Sequence, residues 1–134
     1  MSFILEKEFK FEAAHQLPQH DGKCRRLHGH SWKGRVVVEG THLIASGPKT
    51  GMVMDYSDIK AALDPLVEGH LDHYYLNDST GLENPTSENL ALWVFTMLRD
   101  KIPGLVAVVI DETCTSRCTY SPIKKWFDFG EFKA

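Results

Sequence analysis

Phe3 to Ala13 alternates apolar and polar residues, through Phe3 and Leu5 and then Phe9 and Phe11, and predicts a half-buried strand. Polar residues with Pro18, Asp21 and Gly22 make Gln16 to Arg26 a loop. A second strand is expected from His28 to Gly40, centred on the β-branched run Val36-Val37-Val38. The Gly47-Pro48-Lys49-Thr50-Gly51 segment reads as a turn that closes this strand pair and leads to helices. Ser57 is the expected cap of a first helix, with Asp58 in its first turn and Ile59, Leu63 and Val67 four residues apart. Pro65, which lacks an amide donor, should kink or shorten it. A long linker runs from Gly69 to Pro85. Thr86 or Ser87 then caps a second helix that ends at Arg99, its apolar stripe being Leu90, Val94 and Leu98. After Pro103-Gly104, Leu105 to Thr113 reads as a buried strand. Cys118 to Phe129 reads as another, carrying Trp126 and Phe129.

The order β-β-α-α-β-β predicts an α+β fold, a four-stranded antiparallel sheet with two helices on one face. Two open sheet edges would remain, and edges invite pairing with another copy, so a homo-oligomer is expected. The chain has 134 residues, 43% hydrophobic and 25% charged, which suits one soluble domain. A net charge of −3 gives no footprint for nucleic acid. The longest apolar run, Leu105 to Ile110, is too short for a membrane span, and no signal peptide is visible at the N-terminus. Three cysteines, an odd number, argue for reduced thiols and a cytoplasmic location.

Seven histidines are the compositional oddity, and their placement carries the chemistry. In Cys24-Arg25-Arg26-Leu27-His28-Gly29-His30, two histidines at i and i+2 of a strand share a face and can converge on one ion. Gly29 between them would let neighbouring backbone approach closely. His15, at the end of the first strand, could join them by antiparallel pairing. Three histidines and one open position are the ligand count of a catalytic Zn²⁺. Cys24 admits two readings. As fourth ligand it would close a structural site, and Cys114 and Cys118 could form a second clip. As a thiol among Lys23, Arg25, Arg26 and a metal, it could serve as a general base. Spacing favours the second, because no second short ligand pair is present. Cys114 and Cys118 are expected only to pack.

Two weaker signals accompany this one. Asp72 beside His73 could hold and polarise the imidazole, provided that a loop or helix end turns the two side chains together. Glu112, closing the apolar strand after Asp111, could accept two parallel N–H bonds from a heterocycle.

Taken together, Phe11-Glu12-Ala13-Ala14-His15, Cys24-x-x-x-His28-Gly29-His30, Leu71-Asp72-His73, Asn84-Pro85-Thr86-Ser87-Glu88-Asn89 and Glu112-Thr113-Cys114-Thr115 resemble the family of 6-pyruvoyl- and 6-carboxytetrahydropterin synthases. The resemblance implies a tunnelling fold whose subunits assemble into a hexamer, a dimer of trimers with sheets closed into barrels. It implies zinc on His15, His28 and His30, proton abstraction by Cys24 and a relay of Asp72 with His73. Glu112 would anchor the pterin, with Thr86 and Ser87 close to it. The implied substrate is 7,8-dihydroneopterin triphosphate. The compact spacing from Cys24 to His28 is similar to the carboxy-forming branch, which serves 7-deazaguanine and queuosine synthesis. That branch cleaves a C–C bond and releases acetaldehyde; the pyruvoyl-forming branch does not. A non-catalytic zinc-binding oligomeric scaffold is the rival of another class. Lys23, Arg25, Arg26 and Lys33 are candidates for holding the triphosphate.

Overall fold

The computed structural model describes residues 2–123. Strand β1 (Phe3–His15) and strand β2 (His28–Gly40) are joined by a loop holding a 3-10 turn at Lys23–Arg25. Helix α1 (Tyr56–Leu66) runs into a π turn (Val67–Leu71), followed by β3 (Tyr74–Tyr75), α2 (Leu76–Ser79), α3 (Ser87–Leu98), β4 (Leu105–Thr113) and β5 (Ser116–Tyr120).

The sheet order is β3-β1-β2-β4-β5. The β1/β2, β2/β4 and β4/β5 pairs are antiparallel, whereas β3 pairs parallel to β1 through Ala13 and Ala14. Among the described residues the sheet therefore has five strands, not the expected four. The fifth was hidden in the supposed linker, because two residues carry no readable alternation. They reach the edge of β1 because the π turn ends at Leu71 and His73 adopts a left-handed backbone, φ 66°, which swings the chain round. The β1–β2 loop, not the turn at 47–51, closes the first strand pair.

Alternation along β1 and β2 decides what faces the helices. Phe9, Phe11, Trp32, Val36 and Val38 pack there with Ile59 and Leu63 of α1 and with Leu90, Val94, Phe95 and Leu98 of α3. Phe9 lies over Gly34, where a Cβ would fall 2.1 Å from its ring, so only glycine fits beneath it. The opposite face carries Val37, Ala107 and Val109 as a smaller apolar cluster.

Helix starts differ from expectation in one instance. Asp55, not Ser57, caps α1, its carboxylate accepting the Ser57 N–H at 2.9 Å. Pro65 does shorten the helix: α-helical bonding ends one residue later and gives way to a bond from the Asp72 N–H to the Val67 carbonyl. Thr86 caps α3 by accepting the Asn89 N–H. Strand β5 starts two residues earlier than read; Trp126 and Phe129 lie outside the described residues. Among the described residues, no helix is long and apolar enough to cross a membrane.

Candidate active site

The unbroken β1/β2 register sets His15 directly opposite His28 and Ala13 opposite His30. All three imidazoles point to the helix-facing side, since His28, His30 and Trp32 alternate with Gly29 and Ser31. One nitrogen of each lies within 4.8 Å of the others. His15 is buried; the other two are partly so.

Backbone carbonyls decide what these nitrogens can do. His15 Nδ1 donates to the Pro85 carbonyl at 2.8 Å, and His28 Nδ1 donates to the Arg26 carbonyl at 2.7 Å. A neutral imidazole has one N–H, so in both rings Nε2 carries a lone pair. Those two lone pairs face each other at 3.0 Å, and Nε2 of His30 is buried with no hydrogen-bond partner. Burial holds the pKa values of His15 and His30 below their ordinary 6.5, although Glu112 and, for His15, the Pro85 bond pull upward. Three converging imidazole nitrogens, two of them on rings whose Nδ1 is already committed to a backbone carbonyl, fit a cation. The 3.0 Å between His15 and His28 is close to the ~3.3 Å expected between two nitrogens bound tetrahedrally at ~2.0–2.1 Å.

Trp32 forms the floor. Its ring lies edge-on to His15 and His30, at 5.0 and 5.3 Å, and its indole N–H donates to the Ala13 carbonyl. Gln16, the residue after His15, is clamped by Asn77, which accepts its N–H at 3.1 Å and donates to its carbonyl at 2.8 Å. Trp32 continues the His28/His30 alternation and was legible in the sequence. The carbonyls of Pro85 and Arg26 and the Asn77 clamp were not.

Cys24 sits in the 3-10 turn, and its backbone carbonyl accepts the Leu17 N–H. With His28, His30 and Leu27 it lines a cavity of about 380 Å³. The gathered ligand atoms are those of three histidines and do not include its thiol. Glu112 shares the face of the histidines, one oxygen lying 3.9 Å from His30 Nε2. That gap leaves the carboxylate free to accept from a ligand. Asp111, one residue before, faces the other side and meets Arg117 at 3.5 Å. Cys114 is exposed in the β4–β5 turn, contrary to the packing role expected of it, while Cys118 is partly buried; both are free. Gly29 is not forced by crowding, since a Cβ there would make an ordinary 3.5 Å contact with Ala13.

Asp72 and His73 do turn towards each other, 3.0 Å apart. Asp72 is anchored by the Glu12 N–H, which lowers its pKa, and the His73 N–H returns to the Glu12 carbonyl. Within one chain, and among the described residues, this pair makes no hydrogen bond or ion pair with the three histidines. His73 lines a cavity of about 540 Å³ mostly with residues that alternate with the cluster-bearing positions, Glu12, Ala14, Gly29 and Ser31, but His30 of the cluster borders it too. Thr86 and Ser87 adjoin Pro85, next to His15. The Thr86 hydroxyl is engaged as a cap, and Ser87 donates to Glu88.

The sequence profile described as 6-pyruvoyl tetrahydropterin synthase matches residues 4–122. The chain belongs to this family. Among relatives in the 6-pyruvoyl tetrahydropterin synthase family, the 6-carboxy-5,6,7,8-tetrahydropterin synthase of Synechocystis sp. is 62% identical over 119 residues, 88% of this chain and 92% of that protein. The enzyme of the same description from Haemophilus influenzae is 33% identical over 139 residues, covering 88% and 98%. The structure of Caenorhabditis elegans 6-pyruvoyl tetrahydropterin synthase superimposes with a TM-score of 0.78 at 27% identity, covering 92% of this chain and 97% of that one.

Proposed function

We propose that the chain is a zinc-dependent 6-carboxy-5,6,7,8-tetrahydropterin synthase. It would convert 7,8-dihydroneopterin triphosphate and water to 6-carboxytetrahydropterin, acetaldehyde and triphosphate in queuosine biosynthesis. The observation that carries this reading is the cluster of three histidine nitrogens, two of whose rings line the cavity that holds Cys24. The likeness to the Synechocystis enzyme supports it.

His15, His28 and His30 would hold the zinc, with the Pro85 and Arg26 carbonyls fixing two of the rings as outer-shell partners do in metal sites. Bound there, zinc supplies Lewis-acid polarisation of a substrate oxygen. Cys24 takes the proton from side-chain carbon, from a position beside the metal but outside its ligand set. Glu112 accepts from the ring and amino N–H groups of the pterin and so sets the distance between heterocycle and metal. Thr86 and Ser87, which follow the Pro85 that holds His15, are given a place near the pterin. The Asp72–His73 relay makes no bond to the histidines of its own chain, so its part in the reaction is given to a neighbouring subunit's site within a homo-oligomer, a hexamer in this reading. Three free thiols agree with a cytoplasmic location.

The scaffold reading needs Cys24 as fourth ligand, and the gathered donor set gives it no support. The deciding experiment is turnover of dihydroneopterin triphosphate with acetaldehyde quantified. Stoichiometric acetaldehyde is expected; triphosphate release without it would replace this activity by the pyruvoyl-forming one.

A further inference from the structure

The loop that carries Cys24 also carries three cations in one turn, whereas the other described basic residues without a carboxylate partner, Lys7, Lys10, Arg99 and Lys101, stand elsewhere in the chain. Lys33, Arg35, Lys49, Lys60 and Arg117 each face a carboxylate. Among the described residues, Lys23, Arg25 and Arg26 have neither an ion-pair nor a hydrogen-bonded side-chain partner. The pairing of Lys33 with Glu8, on the face away from the histidines, removes it from the candidates for binding an anion near them. Lys23, Arg25 and Arg26 together line a pocket of about 320 Å³, with Asp21 and Gly22 completing its wall. Lys23 and Arg26 also line the cavity of Cys24, His28 and His30, so the two spaces share a wall.

The loop is not a loose string. The Leu17 N–H bonds the Cys24 carbonyl at 3.0 Å, Arg25 bonds back to Gly22 at 3.2 Å, and Arg26 to Lys23 at 3.0 Å. Arg26 is fixed again by its carbonyl, which holds His28. One turn thus presents a thiol to the inner cavity and three unpaired cations around the outer pocket. Leaving cations unpaired side by side is unfavourable in the empty protein and is offset when a polyanion settles among them.

We propose that the pocket of Lys23, Arg25 and Arg26 seats the triphosphate leaving group, next to the cavity where the proton is abstracted. This rests on the proposed activity, and it names the residues that such a substrate requires for its anionic end. Arginine forks suit phosphate oxygens bidentately, and the lysine adds a point charge. Asp21 opposes the anion; its carboxylate is fully exposed and 3.9 Å from His20.

The test compares three probes on the zinc-loaded full chain: dihydroneopterin triphosphate, unphosphorylated dihydroneopterin and inorganic triphosphate. A Lys23→Gln/Arg25→Gln variant is expected to raise KM for the triphosphate substrate roughly tenfold per side chain, as charge-assisted bonds at a wet site allow. Inhibition by inorganic triphosphate should weaken in parallel, with zinc content and dihydroneopterin affinity unchanged. Asp21→Asn should move the same constants the opposite way, about two- to threefold, the size of one charge acting across a few ångströms of water. This second variant keeps the test alive should the first lose zinc or fold poorly. Unchanged KM and inhibition in both variants overturn the inference, and so does an equal loss of affinity for unphosphorylated dihydroneopterin. A wild-type protein that binds inorganic triphosphate through these residues yet forms no acetaldehyde would retain the anion seat and overturn the proposed activity instead.

Discussion

Replacing Cys24 by alanine separates a general base from a metal ligand. The side chain is only partly buried, and the turn around it is held by backbone bonds that the thiol does not make. Truncation removes about one methylene's worth of half-buried surface, roughly 0.4 kcal/mol at ~0.8 kcal/mol per fully buried group. For a chain of this length that corresponds to a fall in Tm of about 1–3 °C. Zinc content should stay at one per chain, because three histidine nitrogens form the donor set without Cys24. Turnover, by contrast, should fall at least ~10²-fold, or about 2.7 kcal/mol of barrier, the lower end of what a positioned proton-transfer group contributes. Metal analysis, a thermal melt and acetaldehyde release on one preparation give the three readings. Loss of zinc with a melting point lowered by tens of degrees would refute the reasoning, since that is how a ligand behaves when metal binding is coupled to folding. Near-normal turnover would refute it equally.

His28→Ala should lose zinc and turnover together; stoichiometric zinc in that variant, measured by mass spectrometry of the metal, would dissolve the proposed ligand set. Glu112→Gln should raise the Kd for the pterin ring roughly tenfold or more while zinc stays bound, because an acceptor facing two donors becomes partly a donor itself; unchanged Kd by calorimetry moves the anchor elsewhere. For the metal-free protein, His15 and His30 bind protons less readily folded than unfolded, since burial lowers their pKa from 6.5. Where the unfolded chain holds more protons, stability rises with pH, so Tm should be level above about 7 and fall as pH drops through 6.5 and below. A melt series in chelator with no slope attributable to these residues, judged against His15→Gln, would count against buried neutral imidazoles.

Much of the site was legible because strand alternation is a strict rule. His28, His30 and Trp32 had to share a face, and Glu112 had to part from Asp111. The order of the long elements was legible too, down to the Thr86 cap. What escaped was set by distant backbone. Nothing local to His15 announces that Pro85, seventy positions away, will accept its proton. The two residues of β3 are too few to show a period, and their placement depends on the left-handed turn at His73. Asp72 and His73 were rightly paired, yet the cavity they border became visible only with the register of β1 and β2.

The bond from His15 to Pro85 has a kinetic consequence. Two of the donors lie two residues apart and meet as soon as β2 extends. The third is aimed only when the start of α3 has docked against the end of β1, a contact that closes most of the chain into one loop. A metal ion therefore finds its complete set of partners only once sheet and helix have associated. Interactions absent from a folding transition state leave the folding rate alone and slow unfolding instead. The ion should accordingly act as a latch on a finished molecule: the refolding arm of a chevron plot should be insensitive to zinc, and the unfolding arm should shift down by nearly the whole binding free energy.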